Sequence, residues 1–400
     1  MVKVYKIAIT GGPCSGKSSS MKILQEKFSS EFKIFTPPEC ATTIVKAGVT
    51  IIPSEFTEET HTRFTKGICQ LQIDLEKFFE EEAKNQKKDV IIITDRGVID
   101  NFAYCTPKVK ANVYEETGWN ENFTCIDRYD MVIHLVTAAK GAEKFYTLEN
   151  NEARTETPEI ARFLDKKTHE EWMIHPNLTV IDNSLPGFQN KLNRVVNAVS
   201  SLVHKKPLAN KMVKMLVNWE AEKVELPKGV RVEKIQETVT YLITNKEDRL
   251  YSVKKRQIEG SFLASYSHTE RYIGEKEEDH MELNHQIEVK AYFDFLKNKD
   301  VKKTPINRTV LSFSKECEKT VNVYTLEIYR FKDEKMQKKA NALKVKMFGE
   351  KANSDGTIVF LRGFTDTGTF TQNLFDDILP EHKNVTNNND FFVSSLSKND

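Results

Sequence analysis

Short apolar runs alternate with longer amphipathic stretches through the first half of the chain, and the rhythm changes in the second half. Tyr5–Thr10, Phe32–Phe35, Met131–Val136 and Leu178–Ile181 have the length and composition of strands. Asp89–Thr94 contains four consecutive isoleucine or valine residues. A run that apolar fits a strand buried on both faces, as in a parallel sheet. Between these runs, Lys17–Phe28 places Met21, Leu24 and Phe28 on one helical face, and Phe64–Glu82 and Lys191–Val203 also read as helices. Strands alternating with helices predict a doubly wound α/β domain over residues 1–203.

From about Val230 the pattern becomes one strand after another: Lys234–Thr244, Arg249–Ile258, Ser265–Ile273, Met281–His285, Asn307–Ser314 and Val321–Phe331, interrupted by a helix at Glu288–Lys297. Many strands with few helices predict an antiparallel sheet or barrel over residues 230–372. The fold class is therefore α/β plus α+β. Residues 204–229 between the two read as a linker. Its lysines Lys205, Lys206, Lys211 and Lys214 suit a solvated face, or more sharply a membrane-surface patch. The acidic stretch Glu275–Asp279 and the tail, residues 373–400 with three consecutive asparagines, read as loop-like or partly disordered. The halves show no internal repeat.

Composition narrows this only a little. A chain of 400 residues suits two or three domains. A net charge of +1 provides no global field towards nucleic acid, so no nucleic-acid partner is expected. The six cysteines, Cys14, Cys40, Cys69, Cys105, Cys125 and Cys317, form no CxxC pair or zinc framework and suit reduced thiols. Neither a signal peptide nor an apolar run long enough to span a bilayer is evident. The expectation is a soluble cytoplasmic protein, with peripheral membrane contact as the remaining option.

The strongest chemical signal is Gly11-Gly12-Pro13-Cys14-Ser15-Gly16-Lys17-Ser18, followed by Ser19, which fits the G-x-x-x-x-G-K-[ST] P-loop. Glycines let the backbone wrap a triphosphate and turn its N–H groups inward. The following helix points its positive end at the same anion. Lys17 would reach the β- and γ-phosphates, and Ser18 would offer its hydroxyl to Mg2+. Asp95 ends the buried strand, where P-loop folds hold a magnesium-directed carboxylate, and Arg96 follows as a phosphate grip. That Asp-Arg pair resembles nucleoside and nucleoside-monophosphate kinases; a strand-end turn is the plainer reading. Residues 140–170, with Arg154, Arg162, Lys166 and Lys167, read either as a kinase lid that neutralises the transferring phosphoryl group or as an exposed helix pair. Glu39, after Pro37-Pro38, faces the acceptor side or serves loop structure. Asp182-Asn183-Ser184 could border the nucleotide base by position. An N-K-x-D match at Asn245–Asp248 lies in the second half and reads as a hairpin turn, so ATP and GTP stay equally open.

The segments GGPCSGKSS, PECATTI, IIITDRG, RYDMVIHL and EARTETPEIARFLDKKTHEEWMIHPNLTVIDN are similar to the P-loop domain of TRPL translocation defect protein 14-like proteins, over roughly residues 3–203. The resemblance implies an AAA-type or kinase-like nucleotide-binding domain. IQETVTYL, YSVKKRQIEG, SHTERYI, HMELNHQI, INRTVLSF and LEIYRF resemble, more weakly, strands of that family's CYTH-like triphosphate-tunnel barrel over about residues 230–348. Lys254 and Arg256 share a face by strand alternation. Arg271, Arg308 and Arg330 would join them around a polyphosphate. The tunnel enzymes open on E-x-E-x-K, whereas this chain reads Lys234-Ile-Gln236-Glu-Thr238. Asn284 stands where a second acid would follow Glu282, and Leu343-Lys344-Val-Lys346 carries lysines where glutamates close the tunnel. A divalent cation wants several oxygen ligands. The expectation is a barrel that holds a polyanion, phosphoinositide or polyphosphate, without hydrolysing it.

Three functions follow as expectations. One is an ATP- or GTP-dependent phosphotransferase or NTPase with Mg2+. Another is a nucleotide-switched module that binds a phosphoinositide or a protein partner in membrane trafficking. The third is a structural subunit of a larger assembly.

Overall fold

The computed structural model describes residues 2–52, 55–146, 157–185, 187–204, 211–221, 224, 226, 230–246, 249–261, 263–272, 281–316, 321–365 and 382–385. Two compact units meet in sequence at His204.

The first unit contains β1 (Val4–Thr10), α1 (Lys17–Phe28), β2 (Lys33–Phe35), α2 (Cys40–Lys46), α3 (Glu58–Lys84), β3 (Val90–Asp95), α4 (Pro107–Thr117), β4 (Met131–Leu135), α5 (Pro158–Trp172), β5 (Leu178–Ile181) and α6 (Phe188–His204). Its strands form one parallel sheet in the order β2-β3-β1-β4-β5. The apolar runs lie at its centre: Val90 to Ile93, and Ile7 to Ile9, are fully buried. β1 has β3 on one side and β4 on the other, so the loops leaving β1 and β3 open side by side at the carboxyl edge, where open α/β sheets bind ligands.

Helix starts follow local capping chemistry. Thr57 and Thr60 form a reciprocal capping box that begins α3 ahead of the apolar periodicity. Thr106-Pro107 and Thr157-Pro158 each combine a capping hydroxyl with a proline at the first helical position, and these start α4 and α5. A buried charge cluster ties α3 to the sheet. Lys6 Nζ lies 2.7 Å from Glu76 Oε2, Arg128 Nη2 lies 2.6 Å from the same oxygen, and Tyr129 donates to Glu76 Oε1 at 2.8 Å. Burial opposes the Glu76 charge, yet Lys6 and then Arg128 hold its pKa below the ordinary value.

The second unit contains β6 (Lys211–Val217), β7 (Val232–Tyr241), β8 (Arg249–Ile258), β9 (Ser265–Tyr272), β10 (Met281–Gln286), α7 (Val289–Leu296), β11 (Ile306–Glu316), β12 (Val321–Arg330), α8 (Glu334–Phe348), β13 (Thr357–Thr365) and β14 (His382–Asn384). These strands form one sheet in the order β10-β9-β8-β7-β11-β12-β13-β6-β14. The registers available are all antiparallel. Among the described residues the order has two ends, β10 and β14, so an antiparallel sheet is established and closure into a barrel is not.

Two expectations need correcting here. The linker read over residues 204–229 contains β6, which lies between β13 and β14, because Met215, Leu216 and Val217 supply a buried apolar edge. Leu343–Lys346 is not a closing strand. It belongs to α8, where Asp333 caps the start and Met336, Ala340, Lys344 and Phe348 are buried at helical spacing. Lys344 is fully buried and bonds Asp355 at 2.7 Å.

Candidate functional site

The loop from Gly11 to Gly16 connects β1 to α1 at the sheet's carboxyl edge. Gly11 has φ 136°, and a Cβ there would lie 2.1 Å from Leu135 O. Only glycine fits that passage between the strands. Cys14 also adopts a left-handed φ of 55°. Thr137 Oγ1 donates to Pro13 O at 2.5 Å, and Ala138 N to Cys14 O at 3.2 Å, so the chain after β4 braces the loop. α1 starts at Gly16 without a side-chain cap and without an acid in its first turn. Its leading amides and partial positive charge remain directed at the loop. Ser18 and Ser19 are exposed on that turn.

Lys17 reaches Gly11 O at a long 3.5 Å. Burial and then Arg96 lower its pKa, while Asp95, Glu39 and Asp100 act in the opposite direction. The fold therefore gathers Lys17, Asp95, Arg96 and Glu39 around one point. Arg96 has φ 70°, an uncommon conformation for a non-glycine residue and a recurrent mark of functional turns. Its N–H is held by Ile9 O at 2.9 Å, and its carbonyl accepts from Gln72 Nε2 at 3.1 Å. Its guanidinium lies 3.1 Å from Glu39 Oε1, 3.4 Å from Gly11 O and 4.0 Å from Asp100 Oδ1, with its carbon 5.7 Å from the Tyr104 ring centre. Burial works against the Glu39 carboxylate, but Arg96 and then Thr42 keep its pKa below the ordinary value.

Burial raises the Asp95 pKa, with Lys17 pulling the other way. Asp95 Oδ1 is buried without a hydrogen-bond partner. The orphaned carboxylate oxygen at the end of β3 and the hydroxyl exposed in the first turn of α1 are hard-oxygen donors of the kind that Mg2+ takes, since that ion uses few protein ligands and keeps water and phosphate oxygens. Among the described residues no group of three or more His, Cys, Asp or Glu side chains could hold a metal by itself.

Arg154 lies outside the described residues. Arg162 sits on α5 and donates to Ala139 O at 2.9 Å and to Glu159 at 3.0 Å. α5 is not an exposed helix: Ala161, Asp165, Thr168, His169 and Trp172 are buried along one face. Asp165 was not anticipated. Its carboxylate accepts from the N–H groups of Gly12 at 2.7 Å and Thr137 at 3.1 Å, and lies 3.4 Å from His134 Nε2. Burial and His134 push His169 down to about 3, so it stands neutral beside this cluster. Asp182 and Asn183 are committed internally. Asp182 receives Arg194 at 3.1 Å and Ser184 Oγ at 2.6 Å, and Asn183 Nδ2 donates to Thr137 O and Lys140 O at 2.9 and 2.7 Å.

In the second unit, cross-strand partners share a sheet face. The registers put Glu237 with Arg256 and Arg308, Lys254 with Ser267, Arg271 with Glu282, and Arg362 with Lys214. Arg308 lies between two buried carboxylates, 2.6 Å from Glu237 Oε2 and 2.6 Å from Glu327 Oε1. Arg362 is 3.0 Å from Glu327, Arg256 3.8 Å from Glu237, and Lys254 2.5 Å from Glu282. Lys254, then Arg271, hold Glu282 well below the ordinary carboxylate range against the opposing effect of burial. Lys214 is buried 3.7 Å from the Phe360 ring centre, and burial pushes its pKa down. Towards one end this face turns apolar and packs Tyr241, Ile306, Tyr329 and Phe360 against Met336, Ala340 and Phe348 of α8.

Lys254, Arg256, Arg271 and Arg308 thus lie on one face, but Arg330 does not. Strand alternation turns Tyr329 towards Arg308 and Arg330 to the other side, where it donates to Thr309 Oγ1 at 3.0 Å. The acids are also less eroded than expected. The opening strand presents Glu237 to this face where the sequence pattern points to Gln236, and β12 adds Glu327. Arg362 carries no motif signal, and Lys214 reads as a linker lysine until β6 pairs with β13.

A family model described as an AAA domain matches residues 6–188, the span that carries the loop, Asp95 and α5. No curated protein matches the chain. Two crystal structures of NE1496, one described as a hypothetical protein and one as an inorganic triphosphatase, share 13% identity with it. They cover 47% of this chain and 97% and 93% of their own, with a TM-score of 0.25 for each. A likeness that slight assigns neither a fold nor an activity. The AAA-domain match and the P-loop geometry support a nucleotide-binding first unit.

Proposed function

We propose that the first unit binds ATP or GTP with Mg2+ and transfers or hydrolyses the γ-phosphate. The observation that carries this reading is that Lys17 and Arg96 meet at the Gly11 carbonyl of a glycine-lined loop, with Glu39 on Arg96 and an unpartnered Asp95 carboxylate oxygen at the end of the neighbouring strand. The loop amides and Lys17 would hold the phosphates, and Ser18 and Asp95 would hold the ion. Mg2+, when bound, supplies charge neutralisation at the β- and γ-phosphates. Arg96, with Glu39 orienting it, would grip an anionic acceptor, and Arg162 would approach from α5. Such catalysis is mostly positioning and charge stabilisation.

The second unit, on this reading, is a degenerate triphosphate tunnel of the kind found in TRPL translocation defect protein 14-like proteins. Its strands would curl around the charged band, with α8 packed at one end. The buried carboxylates are already neutralised by Arg308, Arg256 and Arg362, which favours retention of a polyanion over metal-dependent hydrolysis. The ligand would be a polyphosphate or a phosphoinositide head group, the latter bringing peripheral membrane contact. A nucleotide-switched module that recruits such a ligand or a protein is the second reading.

Calorimetric titration of the full chain with ATP and GTP plus Mg2+, with release of labelled γ-phosphate followed in parallel, tests the first unit. Lys17→Ala is expected to remove both binding and turnover. Retention of both in that variant would sink the reading. Flotation with neutral and phosphoinositide-containing vesicles tests the second unit, and equal recovery on both would count against a phosphoinositide ligand.

A further inference from the structure

The two ends of the phosphate-binding loop have unlike surroundings. At Gly11 stand Arg96 and Lys17, both charged and turned to that carbonyl. At Gly16 stands an aromatic ring: a Cβ built on Gly16 would lie 2.8 Å from Phe188 Cε2 and 3.0 Å from Cζ. Phe188 opens α6, and 48% of its surface is exposed. The ring lies against the loop's last glycine and keeps about half of its surface open, so a planar group can stack on it.

The polar side chains at the end of β5 and in the first turn of α6 are already satisfied within the protein. Asn183 ties the chain after β4 to the end of β5 through Thr137 O and Lys140 O. Lys191, one turn along α6 from Phe188, donates to Val136 O at 2.6 Å and to Asn183 Oδ1 at 2.9 Å. Asp182 is spent on Arg194 and Ser184. The two side chains best placed to read a base edge are therefore occupied within the protein, while an aromatic face is presented.

Resting on the assignment of the loop as a nucleoside-triphosphate site, the geometry points to Phe188 as the platform on which the nucleotide base stacks. The γ-phosphate lies towards Arg96 and Asp95, so the nucleoside leaves the loop at Gly16 and meets the ring. The base is held by its face and not by its edge. Selectivity then follows ring size: ATP and GTP bind more tightly than CTP or UTP.

The test compares ATP, GTP, CTP, UTP and inorganic tripolyphosphate on the full chain by calorimetry with Mg2+. Only binding lost in Lys17→Ala is counted, which removes any contribution from the basic face of the second unit. Phe188→Ala is expected to weaken ATP and GTP on the order of tenfold, as loss of one aromatic stacking partner does, and to leave tripolyphosphate unchanged. Phe188→Trp is expected to restore purine binding. Equal weakening of ATP and tripolyphosphate by Phe188→Ala would show that the ring merely props the loop and would overturn the inference. So would purine and pyrimidine triphosphates binding alike to the unaltered chain. Failure of every nucleotide to bind would instead overturn the triphosphate site itself.

Discussion

The Asp165 carboxylate lies 2.7 Å from the backbone nitrogen of Gly12 and accepts its hydrogen bond. An acid on α5 thereby fixes one amide of the loop between β1 and α1. The same oxygen accepts from the Thr137 amide and faces His134, so one carboxylate joins α5, the loop and the chain after β4.

Asp165→Ala should leave two buried amides without an acceptor. A loss of about 2–3 kcal/mol in urea unfolding is expected, the range for hydrogen bonds to a charged group. Asp165→Asn keeps an acceptor oxygen and should cost less. Nucleotide affinity should fall in the alanine variant together with stability. An unchanged urea midpoint in Asp165→Ala would refute the bracing role.

Gly11→Ala should abolish nucleotide binding and destabilise the first unit. Its Cβ would lie 2.1 Å from a backbone carbonyl at a φ of 136°, and neither conflict can be relieved by turning a side chain. Thermal unfolding and ATP titration of the same preparation check both effects.

Glu76 supplies the pH prediction. Its folded pKa lies below the ordinary glutamate value because Lys6 and Arg128 outweigh burial. Its stabilisation is therefore complete above the unfolded pKa of about 4.3 and is lost as pH falls through the lower folded value. Glu76→Gln should cost about 3 kcal/mol at pH 7, because Arg128 loses its ion-pair partner and Lys6 keeps only Glu80. The difference between the variant and the unaltered chain should shrink as pH falls below 4 in denaturant titrations.

Arg308→Met should leave Glu237 and Glu327 without their shared guanidinium. A destabilisation of about 3–5 kcal/mol is expected, the cost of breaking a buried ion pair from one side. Arg330→Ala, on the other face, should leave tripolyphosphate affinity intact. Urea unfolding and tripolyphosphate titration together separate the two residues.

Much of the first unit could be read along the chain. Val90 to Ile93 are all apolar because both faces of β3 are covered, and Gly11 is a glycine because no Cβ passes Leu135 O. The starts of α4 and α5 were equally legible in Thr106-Pro107 and Thr157-Pro158, since capping is a matter of neighbouring residues. The loop with Lys17 and Ser18 belongs to this local class, since its spacing is set by one strand, one turn and one helix, and Asp95 is legible as the end of the buried apolar run.

Tertiary structure decided the rest. Asp165 lies 153 residues from the amide it holds, and no periodicity records such a pairing. Register decided the second unit. A shift of one residue exchanges Gln236 for Glu237 on the charged face, and the same alternation removes Arg330 from it. Lys344 looked like a strand lysine until the i, i+4 burial of Met336, Ala340 and Phe348 placed it in a helix. The sequence by itself determined which loop carries the P-loop pattern between a strand and a helix, because that pattern is built from adjacent residues. Which acids and arginines meet, and which ring lies beside Gly16, depended on strands and helices far apart in the chain coming together.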